Sequence, residues 1–310
     1  MSGSIESLRR KIEQARSLDS VVRTMKNIAA MNIRQYEEAV RSLAEYSGAV
    51  DLGLWACLRH EGIPSAGPAG RGKEALPSVI VLFGSDQGLV GQFNDQLALL
   101  ALGFLGQTDR PPAILSVGER IMLRLRESGF ESERLFELPG SVHAITPLIA
   151  ALLEAIEAAA GKSHLFELHL FHHRPIEEGL SKPASIRLLP LDRTWAQGLL
   201  AHAGPWPGYR PPELPNGLET TRWALVREYL FVSLFRACAE SLASENANRL
   251  TAMRRAEKNI DDLLEELTRS HNEKRQAAID EELFDVVSGF QALEDADRLT
   301  PTPPDSGGTD

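Results

Sequence analysis

Apolar residues recur every seven positions over two long stretches of this chain, one at each end. Near the N-terminus, Leu8, Ala15, Val22, Ala29, Tyr36, Leu43 and Val50 run beside a companion series of Ile5, Ile12, Leu18, Met25, Ile33, Val40 and Leu54. No proline interrupts them, and no glycine falls between Gly3 and Gly48. A heptad repeat sustained this long predicts a coiled-coil helix over residues 4–59, within a first segment of 1–60. Near the C-terminus Met253, Ile260 and Leu267 are again seven apart, with Ala256, Leu263 and Leu264 between them. The pattern resumes at Ile279, Leu283, Val286, Phe290 and Leu293. Residues 218–293 contain no proline and, before Gly289, no glycine. They predict one helix on the order of 110 Å long, within a segment of 218–294. Neither helix can bury its seam alone, so the simplest arrangement pairs them as an antiparallel coiled coil. The polar interval 268–276 leaves the seam without apolar knobs. It is either a solvated stretch or a place where polar side chains meet a partner.

Between these helices the texture changes. Residues 61–77 are rich in Pro and Gly and read as a linker. Ser78-Val79-Ile80-Val81-Leu82-Phe83 is a continuous apolar run, as expected of a buried parallel strand. A glycine-rich turn follows over 84–94. Helices are predicted at 95–105, 119–128 and 145–160, and strands at 113–117, 165–171 and 184–189. Strands alternating with helices predict an α/β domain over 78–203 with a mostly parallel sheet. A Pro/Gly-rich connection, 204–217, leads to the last helix. The tail 295–310, with Pro301, Pro303, Pro304, Gly307 and Gly308, is expected to be disordered.

Composition narrows the classes of function. The chain has 310 residues, 43% hydrophobic and 25% charged, the balance of a water-soluble protein. A net charge of −10 argues against a nucleic-acid scaffold. Two cysteines, Cys57 and Cys238, lie within helical patterns and read as buried thiols of a reduced compartment. The first residues are charged and amphipathic, so no secretory leader is expected, and no apolar run is expected to span a bilayer.

Candidate chemistry is sparse. The turn after the first strand could cradle a phosphate at a helix N-terminus. Its glycines, Gly84, Gly88 and Gly91, do not make G-x-G-x-x-G, and no G-K-[ST] follows. A structural or partner-facing turn is the competing reading. His164, His169, His172 and His173 gather around one strand and read as a surface cluster rather than a metal site, His169 and His173 sharing a face by period two. The acidic pairs Asp261-Asp262, Glu265-Glu266 and the run Asp280-Glu281-Glu282 lie on a helix with no cleft to perturb them, and read as solvated. No catalytic residues, cofactor or metal are expected.

Three stretches then carry a resemblance. Arg23-Thr24-Met25-Lys26-Asn27-Ile28-Ala29-Ala30, the turn Gly84-Ser85-Asp86-Gln87-Gly88-Leu89-Val90-Gly91-Gln92-Phe93-Asn94, and the C-terminal run through Ser241-Leu242-Ala243-Ser244-Glu245-Asn246-Ala247-Asn248-Arg249 and Asn272-Glu273-Lys274-Arg275-Gln276 resemble the γ subunit of F-type ATP synthases. The likeness spans nearly the whole chain in order. It implies a non-catalytic rotor shaft: an antiparallel coiled coil inside a hexamer of α and β subunits, with the α/β domain outside it. There the ε subunit and the c-subunit ring of the membrane attach, so the chain would be peripheral, on the cytoplasmic face of a bacterial inner membrane. Arg275 and Gln276 match the family's R-Q pair, which engages a β-subunit loop. Met25, Lys26, Asp86 and Gln87 are further implied contacts. Gln87, Val90, Gln92 and Asn32 depart from the family's pattern and point to a divergent branch, of which the alternate, often sodium-linked, complex is one candidate. A nucleotide-binding α/β enzyme with coiled-coil arms and an unrelated coiled-coil adaptor are the competing readings.

Overall fold

A computed structural model describes residues 2–61, 76–108, 110–161, 166–176, 181–202 and 217–299. The expected linker and Pro/Gly connection lie almost wholly outside these residues, as do His164 and the tail from residue 300. The chain forms two compact units, one of Met25–Met253 and one of Met1–Thr24 with Arg254–Asp310.

The larger unit is built on a five-stranded sheet. Its strands are β1 (Ser78–Phe83), β2 (Ala113–Val117), β3 (Arg134–Phe136), β4 (Glu167–Pro175) and β5 (Ser181–Leu189), in the order β3-β2-β1-β4-β5. β3, β2, β1 and β4 are parallel, and β5 runs antiparallel to β4. Successive side chains on a strand point to opposite faces, so the continuous apolar run of β1 serves two cores. Val79, Val81 and Phe83 join Leu168 and Leu170 against α4 (Ile145–Ala160), α1 (Ser2–Glu61) and α6 (Leu218–Leu299). Ile80 and Leu82 join Ile114 and Phe171 against α2 (Phe93–Leu105) and α3 (Glu119–Glu127). The sheet is thus covered on both faces, which explains why its central strand alternates nowhere.

α1 and α6 pair in this unit with opposite polarity. Asn32 donates to Asn246 Oδ1 (3.3 Å), Ser47 accepts from Arg236 (3.0 Å), and Gly53 lies against Leu225. As numbers rise along α1 they fall along α6. The seven-residue series of α1 is the buried seam: Leu8, Ala15, Ala29, Tyr36 and Val50 are buried, and Val22 and Leu43 half-buried.

In the smaller unit Arg23 pairs with Asp19 (2.9 Å) on its own helix, and with Glu257 (3.6 Å) and Asp261 (3.9 Å) on α6. Two sequence expectations fail here. Leu18 is 58% exposed, because strict heptad spacing after Ile12 runs through Asp19 instead. The apolar seam of α6 does not resume at Ile279, Leu283 and Val286, all of which are exposed. Among residues 279–289 none is half-buried, and Ala278 precedes them as a half-buried position. Counting back from the Arg23–Glu257 pair, the described start of α1 at Ser2 lies level with residues near 280 of α6, and the apolar side chains there are exposed.

Three further differences concern boundaries. β3 and α5 (Arg193–His202) were not anticipated. α6 continues to Leu299, into the segment expected as tail. Residues 142–160 are long and apolar enough to cross a membrane by length and composition, contrary to the expectation that no such run exists. They contain α4, whose Ile145, Ile149, Leu152 and Ile156 are buried against the sheet.

Candidate partner-contact surfaces

The glycine turn folds onto itself. The Ser85 amide donates to Asn94 Oδ1 (3.0 Å), Asn94 Nδ2 donates to Ser85 Oγ (2.8 Å), and that hydroxyl donates to the Gln87 carbonyl (3.0 Å). Asp86 uses both carboxylate oxygens internally, accepting from the amides of Glu119 and Leu138, each at 2.9 Å. The Ser85 carbonyl takes the Arg120 amide (2.8 Å). The first N–H groups of α3 therefore hold an internal carboxylate and carbonyl, whereas the helix that follows the turn directly, where the phosphate reading would place its ligand, is α2, whose N-cap Gln92 makes no side-chain cap hydrogen bond. Glycine is required twice. A Cβ on Gly84 would lie 2.4 Å from the Ile121 Cβ, and one on Gly118, at φ +104°, would lie 2.9 Å from the Ser85 backbone. The geometry is that of a rigid turn presenting its tip. There Gln87 is exposed, and Leu89, 61% exposed, holds a φ of +63°. A leucine in this region carries backbone strain, which the packed turn sustains.

The histidines are not a surface cluster. His172 and His173 are buried, on opposite faces of β4. Strand alternation does place His169 and His173 on one face, the first against the Phe104 ring (4.4 Å between centroids), the second stacked on Phe93 (4.0 Å). Burial lowers the pKa of both, that of His173 to about 4, so its ring is neutral. His173 Nε2 donates to the Phe93 carbonyl (2.9 Å), and His172 Nε2 faces Glu240 Oε2 (3.1 Å). Among the described residues no three His, Cys, Asp or Glu side chains converge as a metal site requires.

On the distal part of α6, Arg275 and Gln276 are exposed, with Asp261, Asp262, Glu265, Glu266 and the run at 280–282. The heptad spacing of half-buried positions continues through the polar interval by way of Ser270 and His271, which leaves Arg275 and Gln276 facing outward. Beyond them an apolar surface lies open: Leu283, Phe284, Val286 and Val287 are 54–73% exposed. Met25 and Lys26 are half-buried on α1, in the larger unit.

Sequence reasoning assigned no role to a polar stripe inside the larger unit. Ser241, Ser244, Glu245 and Asn246 of α6 are all buried. Glu245 is clamped by Arg249 one turn on (2.6 Å), and burial nonetheless pushes its carboxyl pKa up. Its signal was present: Ser, Glu and Asn at helical spacing inside an otherwise apolar stretch. The thiols of Cys57 and Cys238 are both buried.

A family model described as ATP synthase matches residues 4–293. The ATP synthase γ chain of Desulforamulus reducens is 27% identical over 310 residues, covering 94% of this chain and 99% of its own. That of Frankia casuarinae is 29% identical over 301 residues, covering 94% and 99%. A chain in the solved structure of Euglena gracilis mitochondrial ATP synthase, comprising OSCP, F1 and c-ring, has the same fold. Its TM-score is 0.64 at 16% identity, with 99% of this chain and 100% of that one covered. A rotor chain from the same organism scores 0.60 at 18% identity, covering 90% and 100%.

Proposed function

The chain belongs to the ATP synthase family as a γ-type subunit, and from that premise we propose that it is the rotor shaft of an F-type ATP synthase or ATPase. It couples ion-driven rotation of a c ring to ATP synthesis or hydrolysis in a hexamer of α and β subunits, and supplies no catalytic residue itself. The observation that carries this reading is the antiparallel α1–α6 pair, with an α6 that outruns its partner and leaves apolar side chains uncovered. A contiguous open apolar surface marks a place where another protein packs. In this reading residues 1–60 and 218–294 form the shaft. The 78–203 domain stands outside the hexamer, toward the ε subunit and c ring, at the cytoplasmic face of a bacterial inner membrane.

The family resemblance supplies the contact residues, and exposure supports Arg275, Gln276 and Gln87 among them. Arg275 and Gln276 face outward and meet a β-subunit loop. One charge-assisted hydrogen bond from Arg275 to a carboxylate holds an angular state by about 1.5–3 kcal/mol, enough to bias an angle and little enough to be broken each turn. Met25 and Lys26 form a second contact on α1. In the glycine turn Gln87 makes the contact, and Asp86 holds the turn's shape behind it.

Co-expression with the α and β subunits of the same genome, followed by size-exclusion and an ATPase assay, tests the assignment. The expected product contains three α, three β and one copy of this chain, about the stoichiometry of a closed pseudo-threefold ring around a single shaft. A folded, soluble chain that stays out of such a complex would favour the adaptor reading. Tight nucleotide binding by the isolated chain would favour the enzyme reading.

A further inference from the structure

Among the described residues α6 meets the sheet through three hydrogen bonds, one to each of three strands, with Arg174 of β4 also within 3.9 Å of the Glu240 carboxylate. The Glu240 carboxylate accepts from His172 Nε2 of β4 (3.1 Å). The Ser241 hydroxyl donates to the Phe83 carbonyl at the end of β1 (3.0 Å). Asn248 Nδ2 donates to Ser181 Oγ at the start of β5 (2.7 Å). β1 and β4 are parallel and β5 is antiparallel to β4, with Pro175 opposite Ser181, so all three joints lie toward the same end of the strands. Along α6 they span eight residues of one face, a rise of about 12 Å.

The third joint continues to the far side of the sheet. The Phe93 carbonyl can only accept, so the proton of the neutral His173 ring sits on Nε2 and leaves Nδ1 bare. Ser181 Oγ lies 3.4 Å from that nitrogen and donates to it while accepting from Asn248. Donors and acceptors therefore run in one direction from α6, through β5 and β4, to the first residue of α2. Asn248 Nδ2 also donates to the Ser244 carbonyl (2.9 Å), which fixes the amide's orientation. At the first joint His172 is equally constrained. Its Nδ1 has no hydrogen-bond partner among the described residues, so Glu240 alone orients the ring.

Apolar packing presses α6 onto the sheet but is non-directional, and resists a small roll or slide of the helix weakly. A hydrogen bond weakens steeply once its angle and distance are disturbed. Three such bonds to three strands key the helix to one rotational and one axial position. We propose that Glu240, Ser241 and Asn248 form a torque joint. These positioning residues deliver a turning moment from the α/β domain to the shaft instead of losing it as slip between the two. This rests on the rotor reading.

The test uses the complete membrane-bound complex with Ser241→Ala and Asn248→Leu in this chain. Leu keeps roughly the shape of Asn and can neither donate to Ser181 nor accept from it. The readout is the rotor's torsional stiffness, from angular fluctuations of a probe fixed to the α/β domain while the hexamer is held at a catalytic dwell. With two of three joints cut, stiffness is expected to fall about twofold, and ATP made per ion translocated to fall under load, while unloaded hydrolysis is unchanged. Unchanged stiffness overturns the proposal, including when the variant's melting temperature drops, since that is the signature of a merely structural role. If the double variant does not assemble, Asn248→Leu alone is measured in the same way: reduced stiffness supports the joint, and wild-type stiffness overturns it. Failure of the rotor reading itself looks different, because the unaltered chain would then neither assemble nor rotate.

Discussion

α6 is one uninterrupted helix with two unlike halves. From Val226 to Met253 much of its apolar face is buried among β1, β4, α4 and α1, and of its buried polar side chains Ser241 reaches a strand end, Glu245 is held by Arg249, and Asn246 bonds Leu242 and Asn32. From 254 to 289 no side chain is buried, and Phe284 is 73% exposed. Sequence texture does not separate them, since both carry apolar residues at heptad spacing. The difference lies in what each half has to pack on. The first has a sheet and a partner helix from its own chain. The second has the beginning of α1 and then, among the described residues, exposed apolar side chains. Periodicity specifies which face of a helix can be covered; it does not say whether the cover is part of the same molecule.

The sharpest way to break this comparison is a matched truncation. Leu234→Ala, in the buried half, should cost about 2–5 kcal/mol in urea unfolding of the isolated chain, whereas Leu283→Ala should stay within about 0.5 kcal/mol. Equal effects would mean that the distal face is covered in solution. Next in size is a pH effect tied to the buried half. His173 has a folded pKa of about 4 against an ordinary 6.5, so the unfolded chain binds its proton more readily. Its contribution is complete above pH ~6.5 and lost as pH falls toward 4, a change of about 3 kcal/mol. Unfolding free energies across that window should slope upward with pH, and His173→Gln should flatten the slope. A double change of Arg275→Ala with Gln276→Ala should leave the melting of the isolated chain unaltered. In the assembled complex it should weaken coupling by about 1.5–3 kcal/mol, read as reduced torque or ATP-driven ion pumping. Normal coupling would remove these residues from the contact. Smallest of all, Arg23→Ala should not measurably move the melting temperature, because its ion pairs are solvent-screened.

Much of this was legible in the residues. The a-series of α1 from Leu8 to Val50 is the observed seam, and the 113–117 strand and 145–160 helix fall where the pattern put them. Leu18 misled because an apolar residue one place off the heptad was preferred over Asp19, which holds the seam position by pairing with Arg23. β3 escaped notice because only Phe136 of its three residues is buried, so it has no apolar run to read. The histidines were misplaced because burial inverted their usual preference, and only three-dimensional neighbours such as Phe93 and Glu240 reveal it. The glycine turn was read as structural or partner-facing. What no spacing rule could show is that Asp86 ties it to the amides of Glu119 and Leu138.

The pairing of Asn32 with Asn246 has one more consequence. Two amides sit face to face between α1 and α6, and Asn246 also donates to the Leu242 carbonyl (2.8 Å). Were one helix to shift by a heptad, Asn246 would meet Met25 or Ala39, and neither can answer an amide. Each stranded polar group would cost about 1–3 kcal/mol, so the misaligned pairing is disfavoured well beyond the apolar contacts it could recover. An all-leucine seam would accept several lengths of overlap almost equally well. A single asparagine pair makes the overlap a fixed gauge, so every copy of the molecule is cut to the same reach.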